Sequence, residues 1–165
     1  MSAIRWCRHV FAAEWLVWRA FPKKVLSAIE ACVTDQEKRH DAELRFVVEG
    51  GLPMGSLWRG RRSRARAIEV FGALRVWDTE HNSGVLIYVL LADRCVEILA
   101  DRGIEARVGS KGWEVICGEM RKQYAAGNFE SGSIHGIRAI SDLLAEHFPP
   151  LQNNPNELSD KPVVL

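Results

Sequence analysis

Apolar residues recur at helical spacing in four stretches of the chain, which predicts four helices. The first begins at Pro22, because proline is tolerated in a first helical turn, and should end near His40. The second spans residues 61–77, the third is capped by Ser110, and the fourth ends before Pro149. The residues predicted to face inward are Val25, Ile29, Cys32, Val33 and Gln36, then Ala67, Val70, Phe71, Leu74 and Trp77, then Trp113, Ile116, Cys117, Met120 and Tyr124, and finally Ile134, Ile137, Ile140, Leu144 and Phe148.

Three shorter stretches have the patterns of β-strands. Residues 42–49 largely alternate apolar and polar side chains, which predicts one buried face and one largely wet face. Residues 85–91 are continuously apolar, as in a central strand that is covered on both faces. A short turn at Ala92 and Asp93 leads into residues 94–100, which we expect to run antiparallel to the second strand.

The order of these elements predicts an α/β fold, a three-layer α/β/α sandwich with a small mixed sheet. The first two strands and the helix between them form a right-handed parallel βαβ unit, and the antiparallel hairpin adds the third strand. We expect an N-terminal aromatic amphipathic segment at residues 1–21, the α/β domain at residues 22–148, and an extended C-terminal tail at residues 149–165.

The N-terminal segment is apolar between residues 10 and 20 but contains Glu14 and Arg19. It is shorter than the ~20 apolar residues that cross a bilayer, and it lacks the cleavage site of a signal peptide. Phe11, Trp15 and Trp18 are spaced three and four residues apart, so they share one helix face. That helix either packs on the domain or binds a membrane surface or a protein partner. We therefore expect a cytoplasmic protein, with peripheral membrane association as the alternative.

Composition and charge are those of a globular protein. Of the 165 residues, 47% are hydrophobic and 26% are charged, and the net charge is +1. A general nucleic-acid binder would carry a strong basic excess, so nucleic acid is not an expected partner. Cys7, Cys32, Cys95 and Cys117 form no CxxC motif, and free buried thiols are favoured over two disulfides.

Acidic and amide side chains gather at one predicted edge of the sheet. With the hairpin turning at residues 92–93, Gly84 lies opposite Asp101, beside the polar loop of residues 78–84. The first strand starts at the same edge, near His40. Carboxylate and amide oxygens suit Ca²⁺, Mg²⁺ or Mn²⁺. The alternative is a wet loop whose side chains cap turns and helices. The candidate metal ligands are Asp78, Glu80, Asn82 and Asp101.

An arginine-rich stretch, residues 58–66, lies at the predicted start of the second helix. Arg62 and Arg66 share a helix face there, and their guanidinium groups suit a phosphate or another anion. The alternative is a solvated helix end that forms ion pairs with Glu49 or Glu69. None of the five histidines forms an HxxxH or HExxH motif, and GxSxG, P-loop and dinucleotide-binding motifs are absent from the sequence.

Residues 76–105 carry a recognisable pattern. Asn82 and Gly84 lie in a polar loop, an apolar strand follows, Asp93 and Arg94 mark a short turn, and Gly103 follows the next strand. Outside this region the chain has the letters FP at residues 21–22 and NELSDKPVVL at its end. Together these features resemble the TPM domain family, and in particular its stand-alone bacterial members.

The resemblance implies an α/β/α sandwich and two kinds of function. Plant members are associated with acid phosphatase activity and with calcium binding in photosystem repair, whereas other members act as assembly factors. Many TPM domains carry an aspartate of an acidic cluster just before the first helix, where this chain has Phe21 and Pro22. We therefore expect a protein-interaction or assembly module with Ca²⁺ or another divalent cation as its cofactor. The alternative is a divalent-metal-dependent, acid-phosphatase-like hydrolase.

Overall fold

A computed structural model describes residues 13–60, 62–151 and 155–165 of the chain. In these residues four strands form one mixed sheet, in the order β3–β2–β1–β4. The strands are β1 (Glu43–Glu49), β2 (Gly84–Leu90), β3 (Cys95–Ala100) and β4 (Val163–Val164). Strands β2 and β4 run parallel to β1, whereas β3 runs antiparallel to β2.

Seven α-helices in the described residues surround this sheet. They are α1 (Ala13–Ala20), α2 (Lys23–Gln36), α3 (Met54–Trp58), α4 (Ser63–Ala73), α5 (Arg102–Val108), α6 (Ser110–Ala125) and α7 (Phe129–His147). A turn of 3-10 helix, Glu37–Arg39, continues α2 towards β1. Of these elements, α3, α5 and β4 were not predicted, since each is too short to show a period of its own in the sequence.

The sheet separates two hydrophobic clusters. On one face Leu44, Phe46 and Ile87 pack against α1, α2, α5, α6 and α7. On the other face Val47 and Leu86 pack against α3, α4 and the C-terminal tail. This arrangement confirms the predicted α/β/α sandwich with its parallel βαβ unit and antiparallel hairpin.

The prediction that β1 has one wet face was wrong. Glu43, Val47 and Glu49 all point to the second face, and all three are buried. The cause is the second helical layer together with the tail, which cover that face. Glu49 tolerates burial because the guanidinium of Arg66 lies 2.9 Å from its carboxylate and the Tyr88 hydroxyl donates a hydrogen bond to it.

Three of the four cysteines lie in the described part of the chain, and all three are free thiols. Cys117 is buried, whereas Cys32 and Cys95 are half-buried. Burial raises the pKa of the Cys117 thiol to about 11, so it stays protonated near neutral pH. Cys7 lies outside the described residues.

Candidate functional site

The structure contains the sheet edge that the sequence predicted, with Gly84 opposite Asp101. The backbone N–H of Asp101 donates to the Gly84 carbonyl at 2.8 Å, so these two residues lie opposite one another. Gly84 also pairs with Glu43 at the start of β1. The imidazole of His81, in the polar loop, lies 3.5 Å from the Asp41 carboxylate. The loop, Asp101 and the start of β1 therefore meet at one edge.

Two glycines allow the backbone segments at this edge to approach one another closely. A Cβ atom on Gly84 would lie 1.8 Å from the carbonyl oxygen of Val76. A Cβ atom on Gly103 would lie 2.7 Å from the Asn82 carbonyl oxygen. Such distances are far below van der Waals contact. The first turn of α5 can therefore lie directly on the loop only because residue 103 has no side chain.

The four candidate metal ligands differ in their contacts. Asp101 caps α5, since its Oδ1 accepts the Arg102 backbone N–H at 2.7 Å. Its other oxygen, Oδ2, is buried and has no hydrogen-bond partner in the described structure. Asn82 Oδ1 accepts two hydrogen bonds, at 3.0 and 3.1 Å, from the Arg102 guanidinium. Asp78 and Glu80 are exposed to solvent.

Two features of the described residues bear on the predicted metal site. The amide oxygen of Asn82 is taken by Arg102, whose positive charge also opposes a second cation there. Across the described ranges, no three His, Cys, Asp or Glu side chains are grouped closely enough to hold a metal ion. Asp101 Oδ2 is the one atom of the four residues with an unmet need for a donor or a cation. Binding of a divalent cation at this edge stays a prediction.

The two candidate anion-binding arginines have different surroundings. Arg66 makes bidentate hydrogen bonds to Glu49 and also contacts Glu69 at 3.3 Å. The ion-pairing alternative therefore describes Arg66, whose charge is already neutralised by two carboxylates. Arg62 is exposed and directly precedes α4. Anion binding by Arg62 stays a prediction, and Arg61 lies outside the described residues.

A buried histidine–serine pair escaped the sequence analysis. His40 Nε2 lies 3.2 Å from Ser141 Oγ, and both residues are fully buried. His40 Nδ1 accepts the Ala42 N–H, so Nε2 carries the proton and donates it to the serine. Such a histidine cannot remove the serine proton, and burial lowers its pKa to about 4. The pair lies in the packed interior, and no sequence motif marks it.

A second unpredicted feature is a cluster of carboxyl groups beneath the C-terminal tail. Glu37 accepts the Leu44 N–H at 2.7 Å and faces Glu43 and Asp160. Burial, more than these neighbouring charges, raises the pKa of Glu37 to about 9. Burial also raises the pKa of Glu43, which accepts the Leu158 N–H at 3.0 Å. The cluster joins the 3-10 turn that follows α2, strand β1 and the tail.

The described part of the aromatic N-terminal segment is divided between core and surface. Val17 and Ala20 of α1 are buried in the core, whereas Trp15 and Trp18 are 59% and 62% exposed. The guanidinium of Arg19 lies over the Trp15 ring, 5.1 Å from its centroid. Phe11 lies outside the described residues. Among the helices described, none is long and apolar enough to span a bilayer.

Comparison with known proteins identifies a family and a solved structure that are similar to this chain. The sequence model of the TPM domain family matches residues 20–143, which is most of the chain. The chain belongs to the TPM domain family. This TPM domain is also similar to the BA42 protein of the psychrophilic bacterium Bizionia argentinensis, whose structure was solved by NMR. The two share 28% sequence identity with a TM-score of 0.76, over 86% of this chain and 93% of that one. No curated protein matches the chain.

Proposed function

We propose that this TPM domain is a protein-interaction or assembly module that binds its partner through α1. The observation that supports this proposal is the exposure of Trp15 and Trp18 on a helix whose opposite side, Val17 and Ala20, is anchored in the core. A helix held in this way presents its tryptophans without a further ordering cost.

The chemistry of this helix face suits a protein surface. Tryptophan and arginine are enriched where protein interfaces concentrate their binding energy. Trp15 and Trp18 offer two large rings, and Arg19 adds a positive charge beside Trp15. The expected partner is a protein with an apolar groove bordered by carboxylates. We propose that this interaction takes place in the cytoplasm, and a membrane surface is the competing ligand of the same face.

The test compares two variants that remove exposed tryptophan. Trp15→Ser with Trp18→Ser should abolish a saturable interaction with a partner recovered by cross-linking and re-tested as a purified protein. Trp77→Ser is the matched control, because Trp77 is 50% exposed and lies outside α1. Both variants should keep the wild-type melting temperature. Equal partner binding by all three proteins would contradict the proposal. Tryptophan-dependent sedimentation with anionic vesicles and no protein partner would assign α1 to a membrane surface instead.

The second candidate is a divalent-metal-dependent, acid-phosphatase-like hydrolase at the Asp101 edge. The observation in its favour is the buried, unpartnered Oδ2 of Asp101. Turnover of p-nitrophenyl phosphate that needs a divalent ion, and that is lost in Asp101→Asn with the melting temperature retained, would support it. Absence of turnover with Ca²⁺, Mg²⁺ and Mn²⁺ between acidic and neutral pH would exclude this candidate.

A further inference from the structure

A cavity of about 240 Å³ lies at the carboxyl end of β2, at the opposite end of that strand from Gly84. Its walls come from α1, β2, the hairpin, α6 and α7. Most of the wall is apolar, with Leu16 and Ala20 from α1, Val89 from β2 and Phe129 from α7. Ligands of open α/β sheets bind preferentially outside the carboxyl ends of parallel strands, and β1 and β2 form such a parallel pair.

The polar groups that line the cavity differ in whether they are free to bind a ligand. Tyr124 lines the cavity, but the Tyr124 hydroxyl is hydrogen-bonded to Ser133 at 2.7 Å. Tyr124 therefore contributes its aromatic ring to the cavity wall. Arg94 and Arg121 line the cavity as well, and both side chains are exposed. Neither arginine forms an ion pair with an Asp or Glu in the described ranges, unlike Arg66. Two guanidinium groups therefore border an apolar cavity.

The backbone at Arg94 adds a second observation. Arg94 has a φ of 53°, in the left-handed region that side-chain-bearing residues seldom adopt. In hairpins of this kind glycine usually fills such a position. A glycine or asparagine would make the turn with less strain, so the arginine is not explained by the turn itself.

We propose that this cavity binds an amphipathic organic anion, a monocarboxylate with an apolar chain of medium length. A 150 Å³ apolar cavity holds benzene, so a cavity of this size accommodates a ligand with on the order of ten non-hydrogen atoms. The chain would lie against Leu16, Val89 and Phe129, and the carboxylate between Arg94 and Arg121. Trp15 and Trp18 do not line the cavity, so this site uses other residues of α1 than the protein-binding face proposed above.

The experiment is an NMR titration of the ¹⁵N-labelled full chain with sodium octanoate. Saturable shifts are expected for amides around the cavity, including Leu91, Ala125 and Phe129. Octan-1-ol, which has the same chain and no charge, should bind about fivefold more weakly or worse, because it lacks charge-assisted hydrogen bonds. Alkylation of the half-buried Cys95, which also lines the cavity, should slow when octanoate is bound.

Matched arginine variants locate the carboxylate. Arg94→Asn and Arg121→Gln should each weaken octanoate binding about fivefold or more, and asparagine tolerates the left-handed backbone of residue 94. Arg75→Asn is the control, because Arg75 is exposed, has a φ of 52° and lies outside the cavity. It should bind as wild type does. Amide spectra of the free variants verify that each retains the fold.

Three results would overturn the proposal. One is the absence of saturable shifts around the cavity at millimolar octanoate. Another is equal affinity for octanoate and octan-1-ol, since the arginines would then have no role in recognition. The third is a set of shifts confined to the indole groups of Trp15 and Trp18, which would show that octanoate adheres to the exposed helix face only.

Discussion

Gly84 and Gly103 show how single residues control the geometry of the strand edge. Both belong to the sequence pattern that resembles TPM domains, and both lie where another backbone passes too closely for a Cβ atom. Gly84 faces the carbonyl of Val76, and Gly103 faces the polar loop at Asn82. These two glycines of the sequence pattern therefore mark close backbone contacts.

Gly84→Ala should destabilise the domain by about 3 kcal/mol or more, because the added methyl group would overlap a backbone carbonyl that cannot rotate away. Gly118→Ala is the control. Gly118 lies within α6, and a methyl group added there would meet open space, so alanine should be neutral or stabilise by up to about 1 kcal/mol. Urea denaturation measures both changes. Equal stability of Gly84→Ala and wild type would show that the edge relaxes.

Glu37 should make stability depend on pH in the direction opposite to most carboxyl groups. Its pKa is raised from 4.5 to about 9 in the folded protein, so folding favours the protonated form. Its contribution is complete below pH 4.5 and is lost as pH rises towards 9. His40, with a pKa lowered from 6.5 to about 4, contributes above pH 6.5 and loses its contribution as pH falls towards 4.

Glu37→Gln separates these two effects. Glutamine can still accept the Leu44 N–H through its amide oxygen, but it does not titrate. The melting temperature of the variant minus that of wild type should therefore increase from pH 5 to pH 9, while the His40 contribution cancels in the difference. A constant difference over this range would show that Glu37 is ionised and solvated in the folded protein.

At the scale of elements, the C-terminal tail completes the sheet. Leu165 N–H donates to the Val48 carbonyl at 2.9 Å, and β4 lies parallel to β1. Before β4, Asp160 accepts hydrogen bonds from Thr34 and Asn156. β1 is thereby a central strand with a hydrogen-bonded neighbour on each side, while the residues that lead to β4 help to cover its second face.

The two residues of β4 provide an internal comparison. Val163 is partly buried against the hydrophobic cluster that contains Val47 and Leu86, whereas Val164 is 46% exposed. Val163→Ala should cost about 1 kcal/mol of stability, and Val164→Ala less than about 0.5 kcal/mol. Thermal or urea denaturation of the two variants measures the difference. Equal and negligible effects would mean that the tail contributes little to the stability of the sheet.

At the scale of the whole molecule, the two ends of β2 have different chemistry. The end near Gly84 carries acidic and amide groups, whereas the end near Leu90 opens on an apolar cavity bordered by arginines. Of these two ends, the first is the one where a divalent cation is predicted, and Asp101 has an unpartnered oxygen there. The organic anion proposed above suits the second end, because Arg94 and Arg121 border the cavity there.

Divalent ions provide the test at this scale. An ion present at about 100 times its Kd would stabilise the fold by about 2.7 kcal/mol, which is a rise of roughly 5–10 °C in Tm for a domain of this size. Melting curves should be compared in chelator and in millimolar Ca²⁺, Mg²⁺ or Mn²⁺. A rise that Asp101→Asn abolishes would establish the site, whereas the same rise in both proteins would place the ion elsewhere. No rise with any ion would remove the cofactor prediction.

Much of the fold could be predicted from the sequence because hydrophobic periodicity is a local property. The continuous apolar run of β2, the hairpin and the helical stripes of α2, α6 and α7 each fall within one short window. The register that places Gly84 opposite Asp101 also follows from turn length alone. Family membership was predicted from residues 76–105 together with residues 21–22 and the last ten residues, and it is confirmed over residues 20–143.

Only the tertiary structure decided which polar groups are paired and which surfaces are covered. Arg66 meets Glu49 across 17 positions, Glu43 meets Leu158 across 115, and His40 meets Ser141 across 101. No local pattern encodes such contacts, because each depends on where the whole sheet places distant segments. For the same reason the cavity at Arg94, built from five separate elements, and the burial of both faces of β1 were visible only after the chain had folded.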